Sequence, residues 1–231
     1  MKYFNKYNFY ARYIPGLIAL IPLSILYFFI TVKYNSYSLD KYFSSLTFLA
    51  GLSATFIIGY FTSMVVRELG SFLEHRYFKK RLEFPTNYLL LFSNDKLTSQ
   101  IKEKFGERIK TDFDITRFNS DEELENKNEA LKILNQASKL ISTKYQQNTQ
   151  VKEANIAYGF SRNVSGGLIL GIPFSIAGFV TGISIGENIL AIWSVVILVT
   201  FCLIAIFHKR WIINNAEKYA EKLIAVYIGD R

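Results

Sequence analysis

The sequence is poor in the residues that build metal centres, disulfides and most hydrolytic sites. Among 231 residues it has one cysteine, Cys202, and two histidines, His75 and His208, which lie far apart. A single cysteine cannot form a disulfide within the chain, and so few ligands argue against a zinc site of cysteine and histidine. Phosphate-binding loops, dinucleotide fingerprints and nucleophile elbows are also missing. The sequence therefore gives no positive support for an enzyme and no reason to expect a cofactor or a metal.

Charge is absent from four long stretches, which contain no Asp, Glu, Lys, Arg or His: residues 14–32, 44–66, 165–185 and 189–207. A helix of about 20 apolar residues crosses the ~30 Å hydrocarbon core of a bilayer. The rest of a chain this short could not bury four such helices. They predict an all-α integral membrane protein with four transmembrane helices and a helical domain between the second and third.

Lysine and arginine are distributed unevenly around these stretches. Three precede the first, two lie between the first and second, seventeen between the second and third, none between the third and fourth, and five follow the fourth. The positive-inside rule then places both termini and the middle domain in the cytoplasm. The predicted domains are a first transmembrane hairpin, a cytoplasmic helical domain, a second transmembrane hairpin and a cytoplasmic amphipathic helix, at 1–66, 67–164, 165–207 and 208–231. The last of these either lies at the membrane interface or prolongs the fourth span.

The uncharged spans lack the midplane acidic or basic groups that proton-coupled transporters normally use. Small residues instead mark one face of the second span and one face of the third: Ser44, Gly51, Thr55, Gly59 and Ser63, and Gly167, Gly171 and Ser175. Such faces favour close helix packing. Alternatively, their hydroxyl groups line a weakly polar pore that gates by dewetting. Four spans rarely enclose a water path, so a channel would be a homo-oligomer.

Basic and aromatic residues alternate just after the second span, and one further arginine precedes the third: Arg76, Tyr77, Lys79, Lys80, Arg81 and Arg162. The plainer interpretation is positive charge that meets anionic lipid. The alternative is a nucleic-acid-binding face, in which the cations contact phosphates and Tyr77 or Phe78 stacks on a base.

Two helices are predicted in the middle domain. Lys and Glu alternate over 95–105, which predicts a solvated helix. Ser120 and Glu123 fit a capping box that opens a long helix to about Tyr145. Its apolar positions form one stripe suited to a core, an oligomer face or a partner protein: Leu124, Leu131, Leu134, Ala137, Leu140 and Ile141.

Four islands of sequence resemble a family of bacterial four-span proteins found with anti-phage defence genes, the membrane effectors of the Hailong system. They are Arg12-Tyr13-x-Pro15-x-Leu17 leading to Pro22, Arg67-Glu68-x-Gly70 with Leu73-Glu74, Pro85-Thr86, and Tyr158-Gly159-Phe160-x-Arg162-Asn163. The chain departs from the family at His75, where a proline is usual, and at Phe84, where tryptophan and glycine usually precede Pro-Thr.

The resemblance implies an ion channel of the bacterial inner membrane. It implies that a partner nucleotidyltransferase makes a single-stranded oligodeoxyadenylate that holds the channel closed, and that loss of this DNA oligomer lets the channel depolarise the cell. Tyr158, Gly159 and Phe160 join the middle domain to the third span, so they are candidate coupling residues or a simple helix-joining turn. The competing hypothesis is a non-conducting membrane scaffold that anchors a cytoplasmic partner.

The charge asymmetry makes a prediction about topology. Reporters fused to the two ends of the chain should both be active in the cytoplasm, because the basic flanks of the spans resist translocation. Activity of the two reporters on opposite faces of the membrane would contradict a four-span chain.

Overall fold

A computed structural model describes residues 6–35, 45–78 and 82–229 of the chain, without the side chains of residues 32, 34, 35 and 45–55. A six-residue π-helical turn, Asn8–Tyr13, leads directly into the first helix. The helices are α1 (Ile14–Asn35), α2 (Ser45–Tyr77), α3 (Pro85–Tyr88), α4 (Ser99–Phe113), α5 (Ser120–Glu125), α6 (Lys127–Lys144), α7 (Thr149–Ser184) and α8 (Asn188–Gly229). These ranges contain no β-strand.

Four helices are long and apolar enough to cross a membrane, and together they suggest a multi-pass membrane protein. Their ranges within the described residues are Asn8–Thr31, Phe56–Tyr77, Thr149–Ser184 and Asn188–Gly229. Large apolar side chains on them face outward: Phe61 is 61% exposed, Trp193 53% and Ile206 70%. Water would not favour so much exposed apolar surface, whereas lipid is a suitable solvent for it.

The helices extend well beyond the uncharged stretches of the sequence. α7 has 36 residues and α8 has 42, which is roughly 54–63 Å at 1.5 Å per residue and more than the ~30 Å hydrocarbon core requires. Residues 208–229 therefore prolong the fourth span as one continuous helix, which was one of the two alternatives for this segment.

Packing divides the chain into two compact units, neither of which is continuous in sequence. The apolar unit comprises Met1–Leu73 and Gly159–Lys209, and the charged unit comprises Glu74–Tyr158 and Arg210–Arg231. The predicted domain boundaries at 66/67, 164/165 and 207/208 concern where the chain leaves a membrane, and they stay predictions. The division by packing falls inside α2, α7 and α8.

The core of the charged unit is built around the end of α8. Tyr227 is fully buried, and its ring lies 5.5 Å from the ring of Phe105 and 6.0 Å from that of Tyr145. The Arg108 guanidinium sits 4.8 Å from the centre of the same ring. Burial raises the pKa of the Tyr227 phenol well above its usual range, and the charge of Asp112 acts in the same direction. The last turns of α8 thus complete this core.

A polar network pins the loop after α3 to α4 and α5. Arg117 donates to the carbonyl oxygens of Lys102 and Leu90, both at 2.8 Å, and lies 3.6 Å from Glu123. Glu123 also accepts the Ser93 amide at 3.1 Å. Its side chain is 3% exposed and that of Arg117 is 9%, so removing either partner would leave a buried charge unpaired.

Two expectations for this region were wrong. The capping box is formed by Asn119 and Glu122, each of which accepts the backbone amide of the other at 2.9–3.0 Å. Ser120 and Glu123 therefore do not form the capping box. Asparagine caps a helix at least as well as serine, and Glu123 is buried beside Arg117. The helix also breaks at Asn126. Leu124 is 71% exposed and Leu140 40%, so neither belongs to the buried stripe.

The Lys/Glu helix is shifted along the chain and is not uniformly solvated. Lys102 is 2% exposed, and its ammonium donates to the carbonyl oxygen of Asn94. Burial lowers the pKa of Lys102, while the Glu123 carboxylate acts in the opposite direction. The carbonyl oxygens of the loop provide this buried lysine with partners that a charge pattern does not reveal.

Candidate functional site

The candidate nucleic-acid-binding residues are divided between the two units. Arg76 is exposed near the end of α2, and the partly buried Tyr77 packs against the core of the charged unit. Lys79, Lys80 and Arg81 lie outside the described residues. Arg162 belongs to the apolar unit, where its Nε donates to the Asn163 side-chain oxygen at 3.2 Å. Whether these residues form one ligand site stays a prediction.

The candidate coupling residues lie in α7 on either side of the boundary between the two units. Tyr158 belongs to the charged unit, where its ring stacks on that of Tyr219 at 6.3 Å and meets Phe84 edge-on at 5.5 Å. Gly159 opens the α7 part of the apolar unit, and Phe160 is half-buried there. α7 is one continuous helix through these three residues, so they do not form a turn.

Three of the four islands of sequence come together in the apolar unit. Asn163 is fully buried, and its side-chain amide donates to the carbonyl oxygen of Ala11. A Cβ atom on Gly159 would lie 3.0 Å from the Cβ of Ala11, and one on Gly70 would lie 2.7 Å from the carbonyl oxygen of Arg162. The π-helical turn, α2 and α7 are thus held within a few ångströms of one another.

The closest approach of two helix backbones at a glycine joins α2 to α7. A Cβ on Gly166 would clash with the backbone amide of Gly70 and the backbone carbonyl of Val66. Backbone on both sides leaves no flexible side chain that could move aside, so glycine is required for this crossing.

The small-residue faces are used for packing within the chain wherever the structure describes them. Gly59 faces Leu17 and Tyr13, Gly167 faces Ala19, and Gly171 faces the ring of Phe201. The Ser63 hydroxyl donates to the Tyr60 carbonyl at 2.7 Å and that of Ser175 to the Gly171 carbonyl at 2.8 Å. Ser44, the surroundings of Gly51 and the side chain of Thr55 lie outside what the structure describes.

A cleft between the π-helical turn and α2, called here the basic cleft, was not predicted from the sequence. It has a volume of about 220 Å³. Its lining is mainly apolar, with Phe9, Tyr60 and Met64, and also includes Asn8, Arg12, Tyr13, Ser63 and Arg67. The π turn brings Asn8 and Tyr13, which are five residues apart, to the same cleft, and π-helical turns often occur at functional sites. Both arginines are visible in the sequence as flanking charges of the spans, but their convergence depends on tertiary packing.

The comparisons with known proteins do not identify the chain. No family model matches it, and no curated protein or solved structure is similar enough to count as a match. Within the described residues no group of three or more His, Cys, Asp and Glu side chains could hold a metal ion.

The crossing of α2 and α7 makes a prediction about stability. Gly166→Ala should lower the free energy of unfolding by about 1–3 kcal/mol, since the added methyl group overpacks a backbone contact. Thermal unfolding in detergent measures this, and Gly229→Ala is the matched control because nothing lies within 4 Å of its Cβ position. Equal unfolding temperatures for the two variants would contradict a close backbone crossing.

Proposed function

We propose that the chain is the subunit of an oligomeric, gated ion channel of the bacterial inner membrane that acts as an anti-phage effector by depolarising the cell. The observation that carries the proposal is the presence of four membrane-length helices whose glycines allow close packing against neighbouring helices. The resemblance to the Hailong membrane channel, HalA, supplies the defence role.

The small residues pack within one copy of the chain, and this explains why the proposed channel is an oligomer. Gly59 and Gly171 are covered by neighbouring helices, and the Ser63 and Ser175 hydroxyls are bonded to their own helices. These groups offer water no polar path through one copy of the chain. In the proposed channel the conducting path lies between copies and is lined by outward-facing residues of the spans.

The proposed ligand is a single-stranded oligodeoxyadenylate made by a partner nucleotidyltransferase, and its binding holds the channel closed. The net charge of +8 favours a polyanion. Arg76 is exposed and Tyr77 precedes the basic run, so the end of α2 combines cations with an aromatic ring. Because α2 has residues in both units, the ligand would act on the spans through an unbroken helix.

A scaffold that anchors its partner through residues 120–145 receives less support. Leu131, Leu134, Ala137 and Ile141 are all at most 3% exposed and belong to the core of the charged unit. Four of the six positions suggested for a partner are therefore already used by the chain itself, and the other two, Leu124 and Leu140, are exposed.

Conductance should be visible in cells. Expression of the chain alone should depolarise the membrane and stop growth, which a voltage-sensitive dye and plating measure. Co-expression of the nucleotidyltransferase should prevent both effects, and a catalytically inactive nucleotidyltransferase is the control. A normal membrane potential during expression of the chain alone would count against the channel.

Ligand binding should be electrostatic. Oligodeoxyadenylate affinity for the purified protein should fall with salt, with a slope of about −0.7 per phosphate contacted. Combined Lys79→Gln, Lys80→Gln and Arg81→Gln should weaken binding, whereas the same changes at the exposed Lys104, Lys110 and Lys139 should not. Salt-independent affinity, or equal losses in the two triple variants, would remove this oligonucleotide site.

A further inference from the structure

An apolar groove adjoins the basic cleft along α2. The groove is lined by Tyr13, Phe56, Ile57, Tyr60 and Phe61, and it shares Tyr13 and Tyr60 with the basic cleft. Phe56 lies eleven residues before Arg67, which is roughly 16 Å along a helix. The cleft and the groove together are called the depression below. Its lining changes from one that contains two arginines to one that is wholly apolar, over a distance that matches a lipid headgroup and the upper part of an acyl chain.

The cationic end of this depression is incompletely neutralised. The Arg67 guanidinium is bonded to Glu68, with Nε 3.0 Å from the carboxylate oxygen. Arg12 pairs with no carboxylate among the described residues: its guanidinium lies 5.3 Å from the centre of the Tyr7 ring, and its Nε is buried with no hydrogen-bond acceptor. A buried donor without an acceptor is unfavourable. The Arg12 side chain as a whole is only partly buried and lines the cleft, so its positive charge is available to an anionic phosphate there.

We propose that this depression binds one phospholipid with a net negative headgroup. The phosphate contacts Arg12 and the accessible edge of Arg67, and one acyl chain lies along Phe56, Ile57 and Phe61. Basic pockets between membrane helices are known to hold anionic headgroups. The site is independent of the channel and of the oligonucleotide, since it requires only that the helices stand in a bilayer.

A lipid suits the depression better than a second copy of the chain. Across Met1–Leu73 and Gly159–Lys209 the sequence has only three acidic residues, Asp40, Glu68 and Glu187. Glu68 is paired with Arg67, and Glu187 lies 3.0 Å from Lys33. The apolar unit of a neighbouring copy therefore has little negative charge to offer Arg12, whereas an anionic lipid has its charge at the depth of the arginines and its chains beside the aromatic groove.

Native mass spectrometry of the detergent-solubilised protein, with defined lipids added, tests the proposal. Phosphatidylglycerol should bind at one copy per chain and about ten-fold more tightly than phosphatidylcholine with the same acyl chains, because both lipids have a phosphate but the choline of phosphatidylcholine places a positive charge near the two arginines. Glycerol 3-phosphate, which has the phosphate without chains, should not bind at comparable concentrations. Equal binding of the two lipids would overturn the proposal, and tight binding of glycerol 3-phosphate would indicate a soluble anion site instead.

Substitutions then locate the lipid. Arg12→Gln should reduce phosphatidylglycerol affinity by about ten-fold and phosphatidylcholine affinity by less, so that the preference between the two lipids narrows, and Arg12→Lys should retain most of the preference. Arg210→Gln removes an equal charge from an exposed position outside the depression and should have no effect. Phe61→Ala should weaken both lipids. The proposal fails if Arg12→Gln behaves like Arg210→Gln, or if crosslinks from a cysteine at Phe61 join two copies of the chain and exclude lipid.

Discussion

The backbone contact between Gly70 and Gly166 is the constraint on which the apolar unit depends. In hydrocarbon there is no hydrophobic force between helices, so association relies on close packing and on polar groups placed between the helices. Here the two glycines let α2 and α7 meet without side chains. One turn before Gly166, the fully buried Asn163 reaches the carbonyl of Ala11. A single crossing thus fixes α2, α7 and the turn that precedes α1.

This arrangement gives the islands of sequence a physical meaning. Ala11, which directly precedes the first island, belongs to the turn, Gly70 to α2, and Gly159 and Asn163 to α7, and these residues lie close together in the apolar unit. They bring small residues and one amide to places where larger side chains do not fit. The fourth island, Pro85-Thr86, lies elsewhere, at the start of α3 in the charged unit.

Hydropathy was sufficient to predict the four membrane-length helices, but it could not give their ends. An apolar run ends where charge begins, whereas α7 and α8 continue because their polar ends pack in the charged unit. The capping pair was misplaced by one residue, since the burial of Glu123 beside Arg117 is a tertiary effect. The cleft was missed for the same reason: the π-helical turn that brings Asn8 and Arg12 to Arg67 leaves no periodic signature.

The position of Tyr227 has a consequence for biosynthesis. The core of the charged unit draws residues 74–158 from the middle of the chain and its last contributions from residues 212–228. A ribosome adds roughly 5–20 residues per second, so residues 212–228 are made after residues 74–158. Until residues 212–228 are made, Phe105 and Tyr145 lack the ring that covers them. Loss of the last turns of α8 would therefore keep the uncharged stretch 189–207 and leave the core of the charged unit without the residue that closes it.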